Sequence, residues 1–248
     1  NAWGYYDKEL TKNVRDWKEI FDVGPLEVNG PLAGATPQWP NSPAGFRSTL
    51  ESYSAACEGI ARHLLSAIAE LMNTEANELL AAFEPEHTSY LSLNYYPVYE
   101  DPAVEEAPTR PDNGHLGVNH HSDAGALTIL MQNNVAGLQV ERNGKWFLVK
   151  PNPEGLVINI GDIVQVWSND RYKAALHRAL VNSEFERYSA AYFYNPSYDA
   201  TYAPLPGVSG RSNPPIYSPI NWGEFRARRA AGNYADYGEE IQISHFRV

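Results

Sequence analysis

The sequence has one cysteine, Cys57, among its 248 residues, so no disulfide can form within the chain. Chains in reducing compartments rarely carry disulfides, whereas small secreted domains depend on them. No uncharged apolar run approaches the length needed to span a membrane, and the first residues do not follow a signal-peptide pattern. These absences favour a cytoplasmic protein with no membrane partner.

Positive charge is also scarce. Lysine and arginine total 19 against 30 aspartates and glutamates, which gives a formal net charge of -11. A surface this acidic repels nucleic-acid phosphates and anionic lipid heads. We therefore expect a small-molecule substrate and no nucleic-acid partner, and we expect a monomer or a weak homo-oligomer.

The apolar residues that are present, 43% of the chain, suffice for one domain over residues 1–248. Residues 1–45 look irregular, and Ser42 with Pro43 predicts the start of a long helix. Its apolar positions recur every three or four residues, which makes Cys57 a packing residue. Thr74 is expected to cap a second helix. The predicted stripe consists of Phe46, Leu50, Tyr53, Cys57, Ile60, Leu64, Ile68 and Leu71.

The pattern changes near residue 89. Short runs rich in β-branched and aromatic residues alternate with Gly, Pro, Asn and Asp as far as residue 200, which predicts a sandwich or barrel. Asn143-Gly144 between two such runs predicts a hairpin. Residues 1–88 thus form an irregular and helical part, 89–200 the β core, and 201–248 a C-terminal helix and tail. On that last helix, Arg226, Arg228 and Arg229 are expected to face solvent.

The segment "VNHHSDAG" (118–125) carries the first candidate site. If it is a strand, His121 and Asp123 share one face and His120 points to the other. Of the remaining histidines, His177 lies in the middle of another predicted strand. Two histidines and one carboxylate favour Fe(II) and leave coordination positions open. The alternative is a buried trio held by hydrogen bonds.

The next predicted strand carries Arg187 and Ser189 on one face. An arginine inside a barrel is costly unless an anion pairs with it, and its planar fork suits a carboxylate. A dicarboxylate such as 2-oxoglutarate could bind the iron at one end and Arg187 at the other.

The order His121-x-Asp123, His177, Arg187-x-Ser189 resembles that of the Fe(II)/2-oxoglutarate-dependent dioxygenases. The branch of isopenicillin N synthase and plant flavonoid oxidases such as anthocyanidin synthase is the most similar. The resemblance implies a mainly β fold with flanking helices, a distorted double-stranded β-helix (jelly roll, cupin-like). Further segments that resemble this branch are "GYYDKELTKNVRDWKE" (4–19), "LNYYP" (93–97), "GLQV" (137–140), "NIGD" (159–162), "WSNDRYKAALHR" (167–178) and "INWGEFRARR" (220–229).

The resemblance implies that His121, Asp123 and His177 bind iron and that Arg187 and Ser189 bind 2-oxoglutarate. It further implies cosubstrate contacts for Asn94 and Tyr96, and a substrate contact for Phe193. Fe(II), 2-oxoglutarate and O2 would be required, with ascorbate as a reductant. Ser92 stands where relatives often carry a basic residue, and the N-terminal segment usual in the branch is not found in the sequence.

The predicted reaction is hydroxylation, desaturation or oxidative cyclisation of a small molecule of specialised metabolism, with release of succinate and CO2. Two alternatives stay open. One is an oxidase of the isopenicillin N synthase or aminocyclopropane-carboxylate oxidase type, which does not use 2-oxoglutarate. The other is a jelly-roll protein that binds metal, as a sensor for example, without catalysis.

Overall fold

The computed structural model describes residues 3–12, 14–25, 33–105, 114–233 and 240–248. The described helices are α1 (Phe46–Leu71), α2 (Ala76–Leu80), α3 (Asp162–Trp167) and α4 (Trp222–Asn233). The described strands are β1 (Gly4–Tyr6), β2 (Leu10–Thr11), β3 (Val14–Arg15), β4 (Glu19–Val23), β5 (Tyr90–Tyr96), β6 (Leu116–His121), β7 (Leu127–Gln132), β8 (Leu138–Arg142), β9 (Lys145–Leu148), β10 (Val157–Ile160), β11 (His177–Leu180), β12 (Arg187–Tyr194), β13 (Thr201–Tyr202) and β14 (Ile220–Asn221). No helix within these ranges is both long and apolar enough to cross a bilayer.

Two antiparallel sheets form the body of the fold. The larger has the strand order β1-β4-β5-β12-β7-β10, and the smaller has the order β6-β11-β8-β9. Neighbouring strands are often distant in sequence, as in the pairing of β5 with β12. Strands that alternate between two facing sheets in this way form a double-stranded β-helix, the jelly roll that the sequence predicts.

Helix α1 packs on the outer face of the larger sheet. Its buried residues are Leu50, Cys57, Ala61, Leu65 and Ala69, and they join Leu127, Ile129, Ala190 and Tyr192 of the sheet in one apolar cluster. Cys57 is only 1% exposed and serves in packing, as predicted. The buried stripe is rotated from the predicted one, because two alanines let the helix lie close to the sheet while Ile60 and Leu71 remain exposed.

Two leucines on α1 provide a test of this packing. Leu65 is 0% exposed and Leu71 is 57% exposed. We expect Leu65→Ala to lower the free energy of unfolding by about 2–5 kcal/mol, because it opens a cavity between helix and sheet. Leu71→Ala, the matched control, should change it by less than about 0.5 kcal/mol. Urea denaturation followed by circular dichroism measures both, and equal losses would contradict the packing described here.

The N-terminal stretch is more regular than predicted. β1 and β4 add to the edge of the larger sheet, where Phe21 lies opposite Leu93 and Ile20 opposite Asn94. The single buried position within Glu19–Val23 is Ile20, so the stretch lacks the apolar alternation that marks a strand. Pairing with β5 stabilises it instead, a long-range contact that local sequence does not encode.

Three predicted boundaries are also wrong. Helix α1 begins at Phe46 after Gly45, whose φ of 82° favours glycine, and Ser42 with Pro43 lies in the preceding turn. Glu75 and not Thr74 occupies the N-cap of α2. The run "GLVINIGDIVQV" (155–166), one of the β-branched runs taken to form the β core, is a strand only as far as Ile160, and α3 follows it.

The hairpin prediction is confirmed. β8 and β9 pair as antiparallel neighbours joined by Asn143 and Gly144. Both residues have positive φ, 54° and 76°, as a two-residue turn with the twist of a hairpin requires.

Candidate iron and cosubstrate site

His121, Asp123 and His177 come together between the two sheets. One ligand atom from each lies within 4.8 Å of the other two. Asp123 Oδ1 is 3.7 Å from His121 Nε2 and 3.6 Å from His177 Nε2. The histidines lie directly opposite each other where β6 pairs with β11. Two imidazole nitrogens and one carboxylate oxygen therefore face a common point.

Both imidazole rings are oriented by backbone carbonyl groups. His121 Nδ1 lies 2.8 Å from the oxygen of Asn119, and His177 Nδ1 lies 2.9 Å from the oxygen of Ala175. A carbonyl oxygen only accepts, so each Nδ1 carries the proton and each Nε2 presents a lone pair to the site. Burial, and then the neighbouring His177, lower the pKa of His121 to about 3. Its ring is thus a neutral, ligand-ready imidazole.

Asp123 is placed by a loop and not by strand alternation. β6 ends at His121, so the assumption that Asp123 belongs to the same strand is wrong. The Asp162 amide donates to the Asp123 carbonyl over 2.8 Å, and Asn159 Nδ2 lies 3.3 Å from Asp123 Oδ2. Burial alone would raise the pKa of Asp123, yet the two histidines and the Asn159 amide hold it below its usual value. The carboxylate is therefore ionised.

The loop around Asp123 is held by a residue that the sequence predicts on a solvated face. Arg229 of α4 is 7% exposed. It donates to Asp162 Oδ2 over 2.6 Å and to the Ser122 carbonyl over 2.7 Å, and its Nε lies 3.2 Å from Glu240. The sequence around Arg229 does not predict that it is buried, because the residues it binds lie on distant parts of the chain.

Arg187 is a buried cation, and some of its hydrogen-bond donors are unused. It is 2% exposed, its Nη2 donates to Gln132 Oε1 over 3.0 Å, and its guanidinium stacks 4.7 Å from the centre of the Tyr96 ring. Nε and Nη1 are buried, and neither has a hydrogen-bond partner among the described residues. A Cβ on Gly137 would lie 2.8 Å from Arg187 Cδ, so glycine is needed where the side chain passes. Such a group calls for an anionic ligand.

Strand register brings the other predicted cosubstrate residues to the same face. Tyr96 lies opposite Arg187, and Asn94 lies opposite Ser189. All four therefore point into the space between the sheets. One neighbour carries no signal in the sequence: Lys18 donates to Asn94 Oδ1 over 3.0 Å and pairs with Glu9 over 2.6 Å.

The remaining two candidates lie apart from this group. Phe193 lies opposite Thr128 on the same inner face and packs against an apolar cluster of Leu130, Leu138 and Ala191. His120 is not one of the residues whose ligand atoms converge. One groove, of about 440 Å³, is lined mainly by outward-facing residues of the larger sheet, such as Tyr95 and Tyr188, and by none of the three clustered residues.

Comparison with known proteins agrees with this geometry. The profile of the 2OG-Fe(II) oxygenase superfamily matches residues 87–196, which include the three clustered residues and Arg187 with Ser189. The chain belongs to the 2OG-Fe(II) oxygenase superfamily. Proteins of this family use iron and 2-oxoglutarate and are oxidoreductases.

Among curated relatives, the chain is 34% identical over 220 residues to Protein DMR6-LIKE OXYGENASE 2 of Arabidopsis thaliana, covering 88% of this chain and 58% of that protein. It is 37% identical over 210 residues to Protein DMR6-LIKE OXYGENASE 1 of the same plant, covering 81% and 57%. The chain thus spans little more than half the length of these relatives.

Two solved structures confirm the predicted fold. The structure of JOX2 in complex with 2OG, Fe and JA superposes with a TM-score of 0.80 at 28% identity, covering 99% of this chain and 69% of that one. A full-length Neurospora crassa protein in complex with alpha-KG and thymine superposes with a TM-score of 0.75 at 27% identity, covering 94% and 74%. Both neighbours bind small molecules.

Proposed function

We propose that this chain is the catalytic domain of an Fe(II)- and 2-oxoglutarate-dependent oxygenase that acts on a small molecule of specialised metabolism. The buried guanidinium of Arg187, with two atoms that lack a partner in the described structure, is the observation that carries this proposal. It lies on the same inner face as Asn159, the residue that donates to Asp123. One dicarboxylate could therefore contact both the metal and Arg187.

The donor set fits iron. Two imidazoles and one carboxylate form the facial triad of non-haem Fe(II) oxygenases, which leaves positions open for other ligands. With iron bound, 2-oxoglutarate and O2 would supply the oxidation of a C–H bond, with release of succinate and CO2. His121 and His177 would each contribute Nε2, and Asp123 one carboxylate oxygen.

The chain's own residues provide position and protection from water. Arg187 and Ser189 would bind the distal carboxylate of 2-oxoglutarate, with Tyr96 and Asn94 beside it on β5. Phe193 would contact the substrate. The burial of this face keeps water from the reacting atoms, which strengthens the ionic contacts.

Both sheets contribute to the site, which supports one domain over residues 1–248. The single buried cysteine and the acidic composition support a cytoplasmic enzyme. We propose that it acts as a monomer or weak homo-oligomer.

The purified protein, supplied with Fe(II), ascorbate, O2 and a panel of ring-bearing substrates, tests this function. We expect succinate to form in proportion to O2 consumed, and only when 2-oxoglutarate is present. An oxidised product without 2-oxoglutarate would identify a cosubstrate-independent oxidase instead. No O2 consumption with any substrate would favour a non-catalytic metal-binding protein.

A further inference from the structure

A second polar position lies on the inner face of the larger sheet, apart from the residues assigned so far. Asp22 of β4 lies opposite Ser92 of β5, and Ser92 lies opposite Ala191 of β12. This row runs between the row of Ser189 and the row of Phe193. Asp22 and Ser92 therefore face the space in which the substrate would have to lie.

The Asp22 carboxylate is incompletely satisfied. Ser92 lies opposite Asp22 in the strand pair, and Asp22 Oδ1 is buried without a hydrogen-bond partner among the described residues. Burial raises the pKa of Asp22 to about 7. Lys18, the cation on the same side of the sheet, is already paired with Glu9 and bound to Asn94. A buried acceptor without a donor is costly, so a ligand that donates to it would be favoured.

Aromatic rings stand beside this carboxylate. Tyr90 stacks on Phe193 with ring centres 4.8 Å apart, and Trp3 lies 5.6 Å from Tyr90. Trp3 also packs on Gly24, where an added Cβ would lie 2.2 Å from its ring. Trp3 Nε1 is buried without a hydrogen-bond partner among the described residues. Apolar walls with one or two oriented polar groups are typical of small-molecule pockets.

We propose that Asp22, supported by Ser92, anchors the substrate by accepting a hydrogen bond from a hydroxyl or N–H group on a ring-bearing molecule. A substrate that presents a carboxylate to Asp22 should bind more weakly, because the two like charges repel. This assignment rests on the proposed function, because it takes the bound molecule to be the substrate of that reaction. The preference for a hydrogen-bond donor over a carboxylate can be measured by binding alone, without turnover.

A matched pair of probes tests the preference. 2-Naphthol and 2-naphthoate share one ring system and differ in the donor or carboxylate that they present. Isothermal titration of the protein with Mn(II) and 2-oxoglutarate under nitrogen, at pH about 8 so that Asp22 is ionised, gives both dissociation constants. We expect 2-naphthol to bind at least about tenfold more tightly than 2-naphthoate.

Two variants separate a local contact from a general charge effect. Asp22→Asn keeps the side-chain size but removes the charge and adds a donor, so the two affinities should come within about threefold of each other. Asp101→Asn removes the same charge from an exposed carboxylate and should keep the wild-type preference. If the wild type binds both probes equally, binds neither at millimolar concentration, or keeps its preference in Asp22→Asn, the assignment of Asp22 is overturned.

Titration of 2-oxoglutarate in the same samples distinguishes this failure from failure of the proposed function. Asp22→Asn should bind 2-oxoglutarate as the wild type does, because Arg187 and the metal residues are intact. A wild-type protein that does not bind 2-oxoglutarate would overturn the proposed function, whatever the two naphthalene probes show.

Discussion

Arg187→Met should weaken 2-oxoglutarate binding by roughly 30-fold to several thousand-fold, the range expected when one partner of a buried charge pair is removed. The same variant should be as stable as the wild type or more stable when no ligand is present. The reason is that it removes a buried cation whose Nε and Nη1 lack partners among the described residues. Titration calorimetry with Mn(II) under nitrogen measures the first effect, and thermal unfolding measures the second.

Arg178 is the matched control, since it is also a buried arginine on a strand. It is 0% exposed, donates to Gln139 Oε1 over 2.8 Å and to the Glu105 carbonyl over 3.0 Å, and stacks 4.2 Å from the Trp146 ring. Arg178→Met should therefore lower Tm while leaving 2-oxoglutarate affinity within about threefold. Similar changes in both variants would show that Arg187 has a structural role only.

His121→Ala should reduce the affinity for Fe(II) or Mn(II) by more than about 100-fold. Loss of an outer-shell partner alone costs about 10–100-fold, and His121 would be a direct ligand. Its neighbour in sequence supplies the control, because His120 lies outside the converging group. His120→Ala should keep metal affinity within about threefold.

Competition with a chromogenic chelator under nitrogen measures both histidine variants. Equal losses would mean that the strand places both rings at the metal. No loss in His121→Ala would remove His121 from the proposed ligand set, even if Asp123 and His177 bind the ion. Circular dichroism of each variant verifies that the sheets are intact.

Where the strands are regular, the alternation of side chains between the two faces of a strand correctly predicted which residues point the same way. Arg187 and Ser189 share a face because β12 is an unbroken strand, and the hairpin at Asn143 has the turn chemistry that its sequence demands. Asp123 reaches the site for a different reason, since the loop after β6 is held by Asp162 and Asn159. The predicted grouping thus rested partly on a wrong local structure.

The residues that the sequence could not reveal depend on contacts across the fold. Arg229 reads as one of several charges on a helix, and only its pairing with Asp162 and Glu240 shows that it is buried. Asp22 lies in a stretch with little strand character, and its position on the inner face follows from pairing with β5. Such contacts depend on how the whole chain folds, and the composition of a short segment does not predict them.

The opposition of His121 and His177 across the β6–β11 pair has a consequence for folding as well as for chemistry. A strand shifted by one residue turns every side chain to the other face, so a misaligned pair would carry its two imidazoles apart. A pair shifted by one residue could therefore not hold an ion through both rings. A bound metal ion would therefore stabilise the native alignment relative to that misaligned pair.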